Sequence, residues 1–269
     1  MSFTLSKLPE IVPQIGKALR ECGAFIKTAH DIDSALVVKP GDVNFVTAYD
    51  VEVQRRLQAA LSVILPEAAF IGEESDSNEM NANLAFIVDP IDGTTNFICG
   101  YQHSAISVGL RWEGRMVAGL IYDPYLDELF SGIEGHGAYC NDRRLQLSPV
   151  PLDRVIVGFG TTPYDHSKAH DTFMLAEQLF LRSRGVRRSG SAALDLCYVA
   201  AGRTGGFFEI RLQPWDYAAA SLLIREAGGI ITQMDGSPIT LHKPCAILAG
   251  NPMAHADLVP LCAPYQLKD

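Results

Sequence analysis

Apolar positions along this chain fall into two periods. Residues 10–29 and 51–65 carry them at helical spacing and read as two helices. From 69 to 140 short apolar runs dominate instead and read as strands, with Leu84-Ala85-Phe86-Ile87-Val88 as one buried strand and Glu113-Gly114 as a hairpin turn between 105–112 and 115–122. The second half alternates. Strands are expected near 155–159, up to 188 and at 207–210, helices near 168–183 and through 192–201, then a helix carrying Asp216 and a final strand–helix pair.

Composition narrows what this alternation can be. A chain of 269 residues, 48% hydrophobic and 20% charged, buries a sizeable core, and no linker rich in Pro, Gly or Ser divides it. The expectation is one unit over 1–269 whose halves, about 1–150 and 151–269, pack closely. The 22 Lys and Arg against 31 Asp and Glu give a formal charge of −9, which argues against a nonspecific nucleic-acid surface. An anionic substrate therefore needs cationic help. The start Met1-Ser2-Phe3-Thr4-Leu5-Ser6-Lys7 is not a charged segment followed by an apolar core, and no apolar stretch of about 20 residues occurs. A cytoplasmic protein without a membrane span is expected. The six cysteines are widely separated, without Cys-x-x-Cys or zinc spacing, so free thiols are expected. His103 lies near a glycine turn, but nothing pairs it with a nucleophile, which leaves covalent Ser/His or Cys/His catalysis unsupported.

The chemistry concentrates in Asp89-Pro90-Ile91-Asp92-Gly93-Thr94-Thr95-Asn96-Phe97. Two carboxylates follow an apolar run and precede a turn of small and hydroxylated residues. Carboxylate oxygens are hard ligands suited to magnesium, manganese or calcium, and magnesium takes few of them while leaving room for water and phosphate. Gly93 lets the backbone approach an anion, and a helix beginning at Thr94 would point its unpaired N–H groups at it. Asp-Pro and Asp-Gly are also ordinary turn dipeptides, and Asp123-Pro124 repeats the first with no evident chemistry around it.

Other acids share the setting. Phe70-Ile71-Gly72-Glu73-Glu74-Ser75 again ends an apolar run in glycine and carboxylates, although a Glu pair is commonly a solvated strand end. Thr47-x-x-Asp50 resembles a capping box, and Asp216 in Pro214-Trp215-Asp216-Tyr217-Ala218-Ala219-Ala220 occupies the first turn of a helix that Gly228 is placed to end. Each of these has a capping or solvation reading as well as a functional one. Carboxylates at Asp50, Glu73, Asp89, Asp92 and Asp216 that converged in space would repel one another unless cations lay between them.

The segments Gly72-Glu73-Glu74-Ser75, Asp89 to Phe97 and Trp215-Asp216-Tyr217-Ala218-Ala219 resemble the signature regions of the inositol monophosphatase family, lithium-sensitive and magnesium-dependent phosphatases, in order and separation over nearly the whole chain. The resemblance implies a mixed α+β fold layered αβαβα, a homodimer, and hydrolysis of a phosphate monoester by metal-activated water without a phosphoenzyme. It implies that Glu73, Asp89 and the Ile91 carbonyl hold a first Mg2+ and Asp89, Asp92 and Asp216 a second, with a third, weaker ion near Glu73. Thr94, hydrogen-bonded to Asp50, and Glu73 would orient the water and accept its proton, while N–H groups of Gly93 and Thr94 hold the phosphate.

For the substrate, the resemblance places Glu209 and Gly190-Ser191-Ala192 at the polyol, together with Asp92 and Asp216. On their own, Glu209 reads equally as a strand-end charge and Gly190-Ser191 as a turn with a helix cap. Lys39 matches a loop lysine of the family. Arg211 departs from the small residue expected two places after the glutamate, and would narrow the pocket or meet a second anionic group. Inositol monophosphate is the first substrate expected. Histidinol phosphate, fructose bisphosphate or a nucleotide 3′-phosphate are the alternatives, and a regulatory partner of RNA-processing or transcription machinery is the reading outside enzymes.

Overall fold

The computed structural model describes residues 3–29, 36–38, 45–75 and 77–267. Lys39 lies outside them. The chain opens with α1 (Leu8–Ile26), a ribbon of β1 (Leu36–Val38) and β2 (Phe45–Thr47), and α2 (Ala48–Ile64). A seven-stranded sheet in sequential order follows: β3 (Ala69–Gly72), β4 (Leu84–Asp92), β5 (Ala105–Trp112), β6 (Arg115–Asp123), β7 (Glu128–Ile133), β8 (Gly137–Cys140) and β9 (Arg143–Leu145). Between β4 and β5 stands the short α3 (Thr94–Ile98). All neighbours in this sheet are antiparallel except β3 and β4, which run parallel.

The second half builds a five-stranded sheet in the order β11-β10-β12-β14-β13, from β10 (Ile156–Phe159), β11 (Gly185–Arg187), β12 (Gly206–Leu212), β13 (Ile230–Thr232) and β14 (Cys245–Gly250). Its helices are α4 (Ala169–Phe180), α5 (Ala192–Ala200), α6 (Pro214–Glu226) and α7 (Pro252–Cys262).

Strand alternation decides how these pieces stack. Phe86 and Val88 of β4 face α1 and α2, packing with Ile15, Leu19, Val53 and Leu57, whereas Ala85 and Ile87 face Ala218 and Leu222 of α6. On β12, Phe207 joins α5 and α6, while Phe208 and Ile210 join α4 and α7 through Leu175, Leu179 and Leu258. The layers are thus α1/α2, first sheet, α5/α6, second sheet, α4/α7, the αβαβα order expected. The inner helix sits very close to the first sheet. A Cβ placed on Gly119 would lie 2.5 Å from the carbonyl oxygen of Ala219, so only glycine leaves room for α6 there.

Three features differ from the sequence reading. β4 continues to Asp92 instead of stopping at Val88, because Asp89 and Asp92 remain paired with β5. The helix read from 51 starts at 48, directly after Thr47, which caps it in the capping box expected with Asp50. The edge strands β9 and β13, three residues each, were too short to show a period. The cysteines are all free, and Cys99 alone among them is exposed.

Candidate active site

Parallel strands end side by side, and this brings the first two acids together. Gly72 pairs with Val88, and the Glu73 N–H donates to the Val88 carbonyl at 3.1 Å, so Glu73 sits beside Asp89. Asn78 fixes the turn by bonding both the N–H and the carbonyl of Gly72, at 3.0 and 2.9 Å. Asp89 and Asp92 are an odd number of places apart and would face opposite sides of a regular strand. Asp89 pairs with Ser107 but Asp92 with Ala105, so β4 holds one residue more than β5 over this interval. That bulge turns both carboxylates toward one cavity.

Each acid is then held by a different element. Asp92 Oδ2 accepts the Ser191 hydroxyl and, at 2.7 Å, the Ala193 N–H, which ties β4 to the start of α5. Asp216 Oδ2 accepts the Gln213 N–H at 2.7 Å in a capping box that opens α6. Asp89 Oδ1 accepts the Ile91 N–H at 3.1 Å. Gly93 caps α3 at φ 92, a left-handed backbone that favours glycine, and its missing Cβ would stand 3.1 Å from the Gly190 carbonyl. Asn96 clasps the same junction, donating to the carbonyls of His103 and Ser189 at 2.8 and 2.9 Å.

Asp50 does two things with two oxygens. Oδ2 closes the capping box with the Thr47 N–H at 2.8 Å, while Oδ1 stands 3.2 Å from the Thr94 hydroxyl, which also reaches the Ile91 carbonyl at 3.1 Å. Asp50 is itself buried behind Thr94 and is not part of the cavity wall.

The cavity has a volume of about 260 Å³ and is lined by Glu73, Asp89, Ile91, Asp92, Gly93, Thr94, Gly190, Ser191, Ala192, Glu209 and Asp216. Its electrostatics are costly. Burial, then repulsion from Glu73, Asp92 and Asp216, holds the Asp89 carboxyl well above the usual carboxylate range, and burial with repulsion from Glu73 and Asp92 does the same to Asp216. Burial pushes Asp92 up to about 6 despite the bonds from Ser191 and Ala193. Glu73 also shares a side-chain hydrogen bond with Asp89. Two carboxyl groups in such contact need a proton or a cation between them.

Divalent cations fit this donor set. Among the described residues no group of three or more acidic, His or Cys side chains is placed to hold a metal ion by itself. Mg2+ does not require one, since it binds through one or two carboxylates and keeps its remaining places for water and phosphate.

Several cavity residues escaped the sequence reading. Asp195, inside the first turn of α5, lines the cavity, accepts the Ser189 hydroxyl at 2.7 Å and is raised by burial to about 7. Its only local signal was its place after the Ser191 cap. Gly160 follows β10 where β12 runs parallel to it, and a Cβ there would lie 1.8 Å from Glu209 Oε2. Glu209 is 5% exposed, accepts the Thr162 N–H at 2.7 Å and is pushed by burial to about 8. Arg188 also lines the cavity, and so does Arg211, which the sequence reading already sets at the pocket. By contrast, Asp123 is buried in a turn of its own, bonding the Tyr125 and Leu126 N–H groups at 2.8 and 3.1 Å, apart from the cavity.

Comparison with known proteins adds a family. The model of the inositol monophosphatase family matches residues 9–266. An inositol-1-monophosphatase of Mesorhizobium japonicum is 42% identical over 215 residues, covering 79% of each chain, and the Nus factor SuhB of Escherichia coli K12 is 38% identical over 240 residues, 88% of this chain and 89% of its own. The solved structure of extragenic suppressor protein suhB from Bartonella henselae superposes with a TM-score of 0.86 at 36% identity, over 94% of this chain and 98% of that one.

Proposed function

This chain belongs to the inositol monophosphatase family, and from that premise we propose that it hydrolyses a phosphate monoester, inositol monophosphate first among them, with Mg2+ held by Glu73, Asp89, the Ile91 carbonyl, Asp92 and Asp216. The observation that carries the reading is the meeting of these acids, from the turn after β3, from β4 and from α6, at one cavity beside Gly93 and Thr94. Bound cations would neutralise the phosphoryl oxygens and lower the pKa of nearby water.

The chain's own groups do the rest. Gly93 and Thr94 N–H groups bind the phosphate. Thr94, its hydroxyl 3.2 Å from Asp50 Oδ1, passes a proton toward that buried carboxylate, and Glu73 orients the attacking water beside it. Glu209 and the Gly190-Ser191-Ala192 segment face the alcohol, where a carboxylate and backbone groups match several hydroxyls. Histidinol phosphate, fructose bisphosphate and nucleotide 3′-phosphates are the competing esters.

With this reading go lithium inhibition, a homodimer and a cytoplasmic setting. No helix among the described residues is long and apolar enough to cross a membrane. A regulatory role is favoured by the Nus factor name of the E. coli relative; it is separated from catalysis by asking whether Asp89→Asn loses a cellular phenotype along with activity. Phosphate release across these esters, with and without Mg2+, tests the main reading. Release that is abolished by chelation and restored by Mg2+ supports it, and release unaffected by chelation contradicts it.

A further inference from the structure

A second cavity lies toward the other end of α6. It has a volume of about 660 Å³ and shares no lining residue with the acidic one. β5 runs from Ala105, opposite Asp92, to Trp112, opposite Leu84, so Arg111 stands near the end of the sheet remote from the carboxylates. Leu110 belongs to the core under α1 and α2, and alternation turns Arg111 to the other face, where it lines this second cavity. Arg111 is only 4% exposed. Its Nη1 and Nη2 donate to the carbonyls of Leu241 and Ala82 at 3.1 and 2.9 Å, while its Nε–H has no acceptor. Among the described residues no carboxylate pairs with it, and burial lowers its pKa without any acid to oppose the shift.

Two carbonyls account for a staple between two loops, but they leave the charge uncompensated. Buried charges are ordinarily paired, because removal from water is costly unless an opposite charge offsets it. The rest of the cavity does not supply one. Its two acids are engaged elsewhere: Glu134 accepts the Arg115 Nε–H at 3.1 Å, and Glu226 accepts the N–H groups of Gly135 and Gly137 at 2.8 and 2.7 Å. Arg115, Arg225 and His242 line the cavity as well. Three guanidiniums against two occupied carboxylates leave this wall positive, in a chain of formal charge −9. We propose that the cavity is a binding site for a tetrahedral oxyanion, a phosphate or sulfate group, whose charge offsets that of Arg111. A guanidinium presents its donors in a planar fork, and with one N–H of each terminal nitrogen spent on a carbonyl, a second remains on each. A wall of donors only offers more than the two oxygens of a carboxylate can use, and four oxygens answer it better. The proposal stands apart from the phosphatase reading, since no residue of the acidic cavity enters it.

The test uses the full-length protein without added Mg2+, so that the acidic cavity repels anions. Its melting temperature is followed as sulfate replaces chloride at constant ionic strength. A saturable rise is expected, half complete on the order of 1 mM, the strength of an ion held by a few charge-assisted bonds. Acetate should need at least about tenfold more, having fewer oxygens and one charge. Asn81 and Asn83 are exposed at the cavity wall, so the double variant Asn81→Asp/Asn83→Asp keeps the fold and supplies carboxylates of its own; it should raise the sulfate half-point at least about tenfold. Arg111→Met should abolish the saturable rise. In wild-type crystals soaked in selenate, an anomalous peak within hydrogen-bonding reach of the Arg111 guanidinium is expected. Inorganic phosphate against glycerol 3-phosphate then separates a free ion from a phosphate carried on an organic molecule, by whichever has the lower half-point. A linear rise shared by the wild type and the variants would be the general effect of an excluded salt and would overturn the proposal, as would acetate acting as strongly as sulfate or a selenate map empty at Arg111. Should Arg111→Met fail to fold, the double variant and the soaked crystal decide.

Discussion

Asp89 shows what a single side chain contributes here. It is 1% exposed and surrounded by Glu73, Asp92 and Asp216, so its charge is unfavourable unless a proton or a cation offsets it. Asp89→Asn and Asp216→Asn should each reduce phosphate release to background. The metal-free variants should melt no lower than the wild type, because asparagine keeps the shape and brings no charge into this buried acidic cluster; a large drop in melting temperature would make these residues structural. Gly160→Ala tests the opposite wall. Its methyl group must displace the Glu209 carboxylate, so KM for polyol esters should rise about tenfold, the worth of about one hydrogen bond of ~1.4 kcal/mol. An unchanged KM would dissociate Glu209 from the alcohol. The acids of the glycine-rich turn were legible in the sequence because hard ligands beside small residues form a local pattern. Asp195, Gly160 and Arg188 were not, because each joins the cavity through strand ends and helix starts distant in the chain.

At the scale of elements, placement depends on two irregular strands and one close helix. The β4 bulge turns Asp89 and Asp92 to the same side, and the packing of α6 on Gly119 brings in Asp216. Gly119→Ala should destabilise the protein by ~1–3 kcal/mol, the usual cost of overpacking, and lower activity further than stability alone explains, since α6 carries Asp216 away from β4. Denaturant midpoints beside kcat values check this; stability loss with kcat intact would show that α6 tolerates a shift. Helices and hairpins such as that at Glu113-Gly114 were legible from period and turn chemistry. The bulges were not, because an extra residue in an apolar strand leaves no mark until its partner strand is known. The stacking order likewise came from resemblance, since amphipathic faces do not name their neighbours.

For the whole molecule, the raised acids set a pH dependence. Asp50 and Asp92 stand at about 6, Asp195 at about 7 and Glu209 at about 8, against ordinary values of 3.8 for Asp and 4.5 for Glu. From about pH 4 to 8 the folded chain retains protons that the unfolded chain has released, so stability falls as pH rises through this window. The metal-free melting temperature should follow that course, and Mg2+ or Mn2+ should raise it more at pH 8 than at pH 5.5, because cations bind the deprotonated carboxylates. A melting temperature that climbs across the window without metal would contradict this. The central claim, that acids from the turn after β3, from β4 and from α6 form one cation site, is tested most directly by anomalous diffraction from crystals soaked in Mn2+. Anomalous peaks within coordination distance of Asp89 and Asp216, lost in Asp89→Asn, are expected; a map empty among these carboxylates would contradict it.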